Sequence, residues 1–384
     1  MRSVELFSGC GGLALGTARA GFEHVKMVEW NADACATLAH NKASGIEYVR
    51  DWPFLQGDVR TIDWGKIRGR LDLVAGGPPC QPFSIGGKHK GESDTRDMWP
   101  EAIRAVRELR PRAFLFENVR GLTRPAFAEY LAWITAHLRA PSATCRENEV
   151  RADHLRRLKT ANAEYDVLVL KVNAADFGAA QKRHRVVVAG IRRDLGVALS
   201  APAPTHSRER LLWDQWVSGE YWKRHRMKAP ADGPVAVADR RAVERLRAAG
   251  KVPVGDPWRT VRDALAGLGE PNGKRNHIFQ DGARAYPGHT GSPLDEPAKA
   301  LKAGDHGVPG GENMMVRDDG SVRYFTVREA ARLQGLPDKW AFPSSWTESM
   351  RQLGNAVPVE LARAMGDWMA STIERTRPTR RAAA

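Results

Sequence analysis

Six short apolar runs, separated by helix-like stretches, constrain the fold of this chain more than any other feature. Each run has the length of one buried strand, and Gly or Pro bounds several of them. Many of the intervening segments carry apolar residues at helical spacing. This alternation is typical of an open, mostly parallel α/β sheet with helices on both faces. The runs are residues 4–7, 25–30, 71–75, 113–119, 166–172 and 186–191.

Three parts of the chain depart from this strand–helix alternation. The last two runs are separated by "NAADFGAAQKRHR", which is too short for a helical crossover, so they predict an antiparallel pair at one end of the sheet. The charged stretch 138–163 predicts a helical surface insertion. Residues 196–325 are rich in Pro, Gly, Arg and Trp and predict a smaller, loop-rich lobe. Two lobes also suit 384 residues, because single cores stop growing at roughly 250–300 residues.

The charge balance indicates a polyanionic partner. The chain has 59 Lys and Arg against 45 Asp and Glu, giving +14, and nucleic acid is the natural candidate. No apolar run approaches the roughly 20 residues that span a bilayer, and the N-terminus lacks a signal-peptide layout, so we expect a soluble, cytoplasmic protein associated with the nucleoid. The four cysteines form no CxxC pair, which argues against a metal site or a disulfide framework.

One cysteine stands on a stiff turn. The stretch "VAGGPPCQPFS", residues 74–84, places Cys80 after two glycines and among Pro78, Pro79 and Pro82. Each proline fixes φ and removes a backbone donor, so the turn holds Cys80 in one place. This arrangement favours a reactive thiol, with a buried structural cysteine as the alternative.

A second group of residues indicates a small-molecule site. The stretch "VELFSGCGGLALG", residues 4–16, predicts a strand, a glycine-rich turn and a helix whose N-terminal amides face a ligand. Glu29 could bind two ribose hydroxyls, Trp30 offers a flat face to adenine, and Asp58 is predicted to end the third strand. Because carboxyl ends of neighbouring strands converge in such a sheet, these residues predict a nucleoside-containing cofactor. At each position, an ordinary surface acid or a packed indole is the alternative.

Three further side chains suit a pyrimidine. Glu117 in "FENV" is predicted to end the strand formed by residues 113–119, next to the turn that holds Cys80. The stretch "QKRHR" supplies Arg183 and Arg185. In one pocket, Cys80 would add to C6, Glu117 would bind or protonate N3, and an arginine would bind O2. Addition at C6 makes C5 able to attack an electrophilic methyl group. The alternative for "QKRHR" is a solvated basic turn.

The ordered motifs "FSGCGG", "GGPPCQPFS", "ENV", "QKRHR", "TVREAARLQGLP" and "GNAVPV" resemble those of the DNA (cytosine-5)-methyltransferase family, bacterial restriction-modification type. They span Val4 to Val359 in that family's order. The resemblance implies a Rossmann-like fold that uses S-adenosylmethionine, with a catalytic domain over 1–194 completed by 349–384 and a target-recognition domain over 195–348. The implied cofactor-binding residues are Phe7, Gly9, Gly11, Gly12, Glu29, Trp30, Asp58, Pro79, Asn355 and Ala356.

The resemblance also implies the chemistry and the partners. Cys80 would be the nucleophile, Glu117 would contact N3, and Arg185 and Arg183 would complete the catalytic set. The substrate would be a cytosine flipped from double-stranded DNA, the protein a monomer, and a separately encoded restriction endonuclease its expected partner. A tRNA cytosine-5 methyltransferase of the same fold and a non-catalytic DNA-binding module are the alternatives.

No motif in the second lobe indicates which bases it reads. Several basic residues there are candidate phosphate or base contacts, and solvated charges are an equal alternative. They are Arg224, Arg226, Lys299 and Lys302.

Overall fold

The computed structural model describes residues 1–79, 97–287, 290–303 and 313–375. The strands of these residues, in chain order, are β1 (Arg2–Leu6), β2 (Glu23–Glu29), β3 (Phe54–Gln56), β4 (Leu73–Gly76), β5 (Ala113–Val119), β6 (Tyr165–Asn173), β7 (Gln181–Lys182), β8 (His184–Arg192), β9 (His206–Ser207), β10 (Asp256–Pro257), β11 (Ser292–Pro293), β12 (Ala298–Lys299), β13 (Met314–Val316) and β14 (Val322–Tyr324).

The α-helices of the same residues are α1 (Gly12–Arg19), α2 (Ala32–Ala43), α3 (Trp99–Leu109), α4 (Ala128–Arg139), α5 (Arg151–Thr160), α6 (Arg208–Trp216), α7 (Glu220–Arg224), α8 (Val237–Ala249), α9 (Val261–Leu265), α10 (Val327–Leu333), α11 (Trp346–Asn355) and α12 (Val359–Glu374). In this part of the chain, no helix combines the length and the apolar character that crossing a bilayer requires.

The chain divides into two compact units. The first comprises Met1–Val172, His184–Pro202 and Lys339–Ala384, and the second comprises Asn173–Arg183 and Ala203–Asp338. The domain boundaries expected from the sequence, after 194 and after 348, lie close to these limits but leave 173–183 in the first domain. Those residues belong to the second unit because β7 pairs with β12 and the carbonyl of Asp176 accepts from the amide of Thr205.

The first unit contains a seven-stranded sheet in the order β3-β2-β1-β4-β5-β8-β6. Strands β3, β2, β1, β4 and β5 pair in parallel, and β8 runs antiparallel to β5. The expected mostly parallel sheet with an antiparallel strand near one end is therefore confirmed. Strands β6 and β8, which come from the last two apolar runs, are neighbours at that end.

Continuous apolar strands build the core of this unit, as expected for a sheet covered on both faces. Phe114 and Phe116 on β5 are fully buried, with ring centroids 5.6 Å apart, and Trp99 of α3 meets Phe116 edge-on at 5.8 Å. Burial of each such aromatic side chain contributes about 1.5–3 kcal/mol. The carboxyl ends of β4 and β5 are thereby held by a packed core.

The C-terminal segment folds back onto the glycine turn and α1. A Cβ atom added at Gly16 would lie 2.3 Å from the Cβ of Ala362 on α12, and one added at Gly12 would lie 2.4 Å from the carbonyl oxygen of Val357. Arg112 also donates from Nη2 to the carbonyl of Ile373 over 3.0 Å. Close helix contact thus requires small residues, and it brings 355–357 beside the glycine turn.

In its described residues, the second unit is loop-rich, as expected, and its strands have only two or three residues. One of its hydrophobic clusters forms around Tyr221 and Trp222, both buried. A buried pair joins β14 to α10, where Arg323 donates to both carboxylate oxygens of Glu329 over 2.7 and 2.6 Å. Short elements held by side-chain bonds leave much backbone in loops.

Candidate active site

The residues that precede Cys80 are held from two sides. Cys80 itself lies outside the described residues, which stop at Pro79 and resume at Asp97. Asn118 donates from Nδ2 to the carbonyl of Pro78 over 2.9 Å, and its Oδ1 accepts from the amide of Val119, which fixes the orientation of the side-chain amide. The amide of Met98 donates to the carbonyl of Pro79 over 3.3 Å. The motif "ENV" therefore anchors the chain immediately before Cys80, a role for Asn118 that the sequence did not reveal.

Glu117 and Arg185 form an ion pair. Arg185 Nε lies 2.5 Å from Glu117 Oε1, and the two side chains are only 13 % and 12 % exposed. The contact follows from strand register: Val119 lies opposite Arg185 and Glu117 opposite Val187, so the two side chains are diagonal neighbours on one face of the sheet. Arg185 also donates from Nη1 to the carbonyl of His184.

The space next to Glu117 depends on Gly77. A Cβ atom added at Gly77 would lie 3.6 Å from Glu117 Oε2. A larger residue there would extend toward the carboxylate. The end of β4 and the Glu117–Arg185 pair therefore border the same space.

Arg183 belongs to the second unit and is buried there. Its Nη1 donates to the carbonyl of Leu301 over 2.8 Å, and its own carbonyl accepts from the amide of Ala174. The two arginines of "QKRHR" thus have different surroundings: Arg185 pairs with Glu117, whereas Arg183 supports the fold of its own unit.

The glycine turn has the backbone that a ligand cradle requires. Phe7, Gly9 and Gly11 all have positive φ, at 57°, 53° and 88°. An added Cβ at Gly9 would meet nothing within 4 Å, whereas one at Gly11 would lie 2.9 Å from the ring of Trp52. Gly11 and, as described above, Gly12 are therefore required for packing, and Gly9 faces open space.

Glu29 is fixed by backbone donors. Its Oε2 accepts from the amide of Gly9 and its Oε1 from the amide of Asn31, each over 2.7 Å. A carboxylate has about four lone-pair positions, so both oxygens keep capacity for a hydroxyl group. Trp30, the next residue, is 65 % exposed and presents an uncovered indole.

Asp58 follows the third strand rather than ending it, which corrects the expectation from the sequence. Strand β3 stops at Gln56, and Asp58 begins a 3₁₀ turn by accepting from the amide of Arg60 over 2.9 Å. Its carboxylate also pairs with the Arg60 guanidinium at 2.6 Å, and these hydrogen bonds lower the pKa of Asp58. The same guanidinium lies 5.6 Å from the centroid of Trp30, so Arg60 links two predicted cofactor residues.

The remaining predicted residues lie around these positions. Asn355 is exposed at the end of α11, and buried Ala356 packs beside Gly12. Pro79 is exposed next to the start of the undescribed segment. Leu13 of α1, Glu117 and Val357 line one small, apolar cavity of the first unit.

A comparison with protein families decides what this arrangement is. The model of the C-5 cytosine-specific DNA methylase family matches residues 1–141 and 143–371. The chain belongs to this family. The resemblance inferred from the motifs is therefore confirmed, and so are S-adenosylmethionine as methyl donor and methylation of cytosine in DNA.

Individual relatives agree with this assignment. The type II methyltransferase M.NgoMIV of Neisseria gonorrhoeae is 31 % identical over 383 residues, 95 % of each chain. M.PspPI of Psychrobacter is 31 % identical over 366 residues, covering 94 % of this chain and 77 % of the relative. These matches favour a DNA methyltransferase over the tRNA-modifying and non-catalytic alternatives.

Solved structures show the same fold. One is described as a DNA modification methyltransferase encoded within an Escherichia coli prophage, with 23 % identity, a TM-score of 0.57, and coverage of 97 % of this chain and 99 % of that one. Another is DNMT2 of Spodoptera frugiperda, with 15 % identity, a TM-score of 0.57, and coverage of 96 % and 99 %.

Proposed function

We propose that this methyltransferase is a type II enzyme that recognises a specific sequence in double-stranded DNA, flips one cytosine and methylates its C5 through a covalent adduct with Cys80. One observation carries the proposal. The Glu117–Arg185 pair borders the end of β4, where Pro78 and Pro79 lead into Cys80. A nucleophile, an acid and a guanidinium near one point suit addition to a polarised pyrimidine ring.

The proposed reaction at cytosine uses the side chains of Cys80, Glu117 and Arg185. The Cys80 thiolate forms a bond to C6, and the displaced electron density is stabilised when Glu117 binds or protonates N3 and Arg185 binds O2. When bound, S-adenosylmethionine supplies an electrophilic methyl group. Once C5 carries the methyl group, the C5 proton would pass to a base and the thiolate would leave C6, while any proton donated to N3 would return to Glu117. Cytosine stacked in a duplex hides C6, so the base must flip, at a cost of a few kcal/mol.

The cofactor would lie against the glycine turn. Gly9 faces open space, the Glu29 carboxylate is fixed for ribose hydroxyls, and Trp30 offers its ring to adenine. Asp58, paired with Arg60, would bind beside it. Phe7, Gly11, Gly12, Pro79, Asn355 and Ala356 would complete the pocket.

The second domain, 195–348, would read the target sequence. Of the four candidate contacts there, Arg224 is engaged within its own unit, because it bonds Asp263 and lies 4.8 Å from the centroid of Tyr221. Arg226 and Lys302 are exposed and Lys299 is partly buried, and these three stay candidates for phosphate contacts. The net charge of +14 suits a duplex partner.

The biological setting follows from this activity. We propose that the enzyme acts as a monomer at the nucleoid and that a separately encoded restriction endonuclease shares its target sequence. In that setting, methylation of C5 places a methyl group in the major groove, where an endonuclease reads base edges.

Methylation-sensitive sequencing tests the proposed function. DNA and RNA from bacteria that express the protein are sequenced, with cells that express Cys80→Ala as the matched control. We expect complete C5 methylation of cytosine at one short DNA sequence, and none with Cys80→Ala. Modification confined to RNA, or equal DNA methylation by the variant, contradicts the proposal.

A further inference from the structure

The charged insertion between β5 and β6 packs onto α4. His154, Leu155 and Leu158 of α5 are buried. Trp133 of α4 donates from Nε1 to His154 Nδ1 over 3.2 Å, so His154 carries its proton on Nε2 and donates to the carbonyl of Ala143 over 2.7 Å. A buried polar contact of this kind fixes the position of α5 on α4.

In the same insertion, the side-chain atoms of Cys145, Glu149 and His154 that could bind a metal lie within 4.8 Å of one another. These side chains, however, form hydrogen bonds within the fold. Both ring nitrogens of His154 are engaged, as above. Glu149 accepts from Arg157 Nε and Nη2 over 2.9 and 2.7 Å, and these bonds hold the pKa of Glu149 at about 2. The group therefore ties the insertion loop to α5.

Arg151, the first residue of α5, stacks on two aromatic rings of α4. Its guanidinium carbon lies 4.6 Å from the centroid of Tyr130 and 5.1 Å from that of Trp133. The two rings are stacked, with centroids 5.8 Å apart. A cation over aromatic faces restrains both ring planes, so the insertion fixes the direction of the Tyr130 hydroxyl.

The Tyr130 hydroxyl is connected through a series of contacts to Pro79, the residue before Cys80. Tyr130 donates to Asp97 Oδ2, while Asp97 Oδ1 accepts from the amide of Trp99 over 3.2 Å. The residue between them, Met98, donates its amide to the carbonyl of Pro79 over 3.3 Å. The contacts therefore run from Arg151 through Tyr130, Asp97 and Met98 to Pro79.

We propose that Tyr130, Asp97 and Arg151 are positioning residues for methyl transfer, through which the insertion keeps Pro79, and hence the adjacent Cys80, in register with Glu117. The proposal rests on the proposed function, in which Cys80 is the nucleophile. Its physical basis is that a misplacement of about 1 Å, even by a distant change, lowers a rate by about 100-fold. Binding of DNA depends on other surfaces and stays unchanged, and the affinity for S-adenosylmethionine changes little because Pro79 is one of many residues proposed for its pocket.

Matched tyrosine variants test the proposal. Tyr130→Phe removes only the hydroxyl and leaves the stacked rings. Tyr165→Phe is the control, because Tyr165 of β6 is also buried and also donates one hydroxyl, to the carbonyl of Pro111 over 2.7 Å. The single-turnover rate is measured on a duplex carrying the methylated sequence identified above, together with the dissociation constants of DNA and of S-adenosylmethionine and the melting temperature.

We expect the Tyr130→Phe rate to fall by about tenfold, within the range for a misplaced reacting group, with both dissociation constants within about twofold and Tyr165→Phe close to the unchanged enzyme. Asp97→Asn should show the same loss, and the double variant should lose no more, because the two side chains act through one contact. Arg151→Lys should keep most of the rate that Arg151→Ala loses.

Equal rates for Tyr130→Phe and the unchanged enzyme overturn the proposal, as do equal losses in Tyr130→Phe and Tyr165→Phe. Failure of the underlying function looks different. The unchanged enzyme would then form no adduct through Cys80 on a duplex containing 5-fluorocytosine. A normal Cys80 adduct with unaltered Tyr130→Phe kinetics rejects the positioning role alone.

Discussion

Glu117 and Arg185 meet across an antiparallel pair of strands, with Oε1 2.5 Å from Nε, at the carboxyl end of the sheet. The carboxylate is therefore held by a guanidinium that has further N–H groups to offer a substrate. Because both side chains are largely buried, the positive charge of Arg185 also compensates the negative charge of Glu117. Binding of a cytosine would place its N3 and O2 edge toward this pair.

Replacing Arg185 tests the role of the guanidinium. Arg185→Gln should lower kcat by about 100-fold, the loss typical of one donor removed from a site of developing charge. DNA affinity should change little, because the phosphate contacts are proposed to lie in the second domain. Arg192→Gln, on the same strand but paired with Asp194, is the control and should keep kcat within a factor of about two. Similar kcat values for the two variants would exclude Arg185 from the reaction.

Trp30 is expected to form one wall of the cofactor site. Trp30→Ala should weaken binding of S-adenosylmethionine by roughly 1–3 kcal/mol, the usual range for a base stacked on an aromatic ring. Isothermal titration calorimetry measures this directly. An unchanged dissociation constant would mean that the exposed indole has another role.

Glu5 gives the first unit a characteristic pH dependence. Burial raises the pKa of this carboxyl well above its ordinary value of 4.5, partly offset by the nearby backbone of Ala14. The folded chain therefore holds this proton more strongly than the unfolded chain. The associated stability is present below pH 4.5 and decreases as the pH rises toward the folded-state pKa, with a slope of at most about 1.4 kcal/mol per pH unit.

Glu5→Gln removes this titration. The variant should match the unchanged protein near pH 4.5 and melt at a higher temperature at pH 8. Thermal unfolding followed at several pH values checks the difference between the two proteins. Parallel pH profiles would show that Glu5 does not carry this dependence.

The fold-back of the C-terminal segment depends on small residues. Gly16→Ala should destabilise the protein by about 1–3 kcal/mol, as overpacking usually does, because the new Cβ would meet Ala362 at 2.3 Å. Gly57→Ala is the control, since its Cβ would meet nothing closer than Leu55 at 3.7 Å. Equal unfolding midpoints for the two variants would argue against tight α1–α12 packing.

The sheet could be predicted from the sequence because apolar runs and crossover lengths are local properties. Runs such as 113–119 and 186–191 correspond to β5 and to most of β8, and the short connection before 186 indicated a change of strand direction. The assignment of 173–183 to the second unit could not be predicted. It depends on the pairing of β7 with β12, which are far apart in the sequence.

The site was predictable to a similar extent. Glu117 and Arg185 lie in short motifs at strand ends, so their approach followed from the expected sheet. The bond from Asn118 to Pro78 and that from Tyr130 to Asp97 depend on side-chain directions that no local pattern carries. Asp58 was misplaced because β3 ends at Gln56, two residues before it, and strand ends are poorly fixed by sequence.

Covalent trapping tests the central claim most directly. If Cys80 adds to C6 and the methyl group enters at C5, the C5 proton must leave before the thiolate does, and fluorine at C5 cannot leave as a cation. A duplex with 5-fluorocytosine at the target should therefore form a complex that survives denaturing electrophoresis, only with S-adenosylmethionine present, and mass spectrometry should place the methylated adduct on Cys80. No complex on a duplex whose unfluorinated form is readily methylated, or an adduct on Cys10, Cys35 or Cys145, would contradict the mechanism.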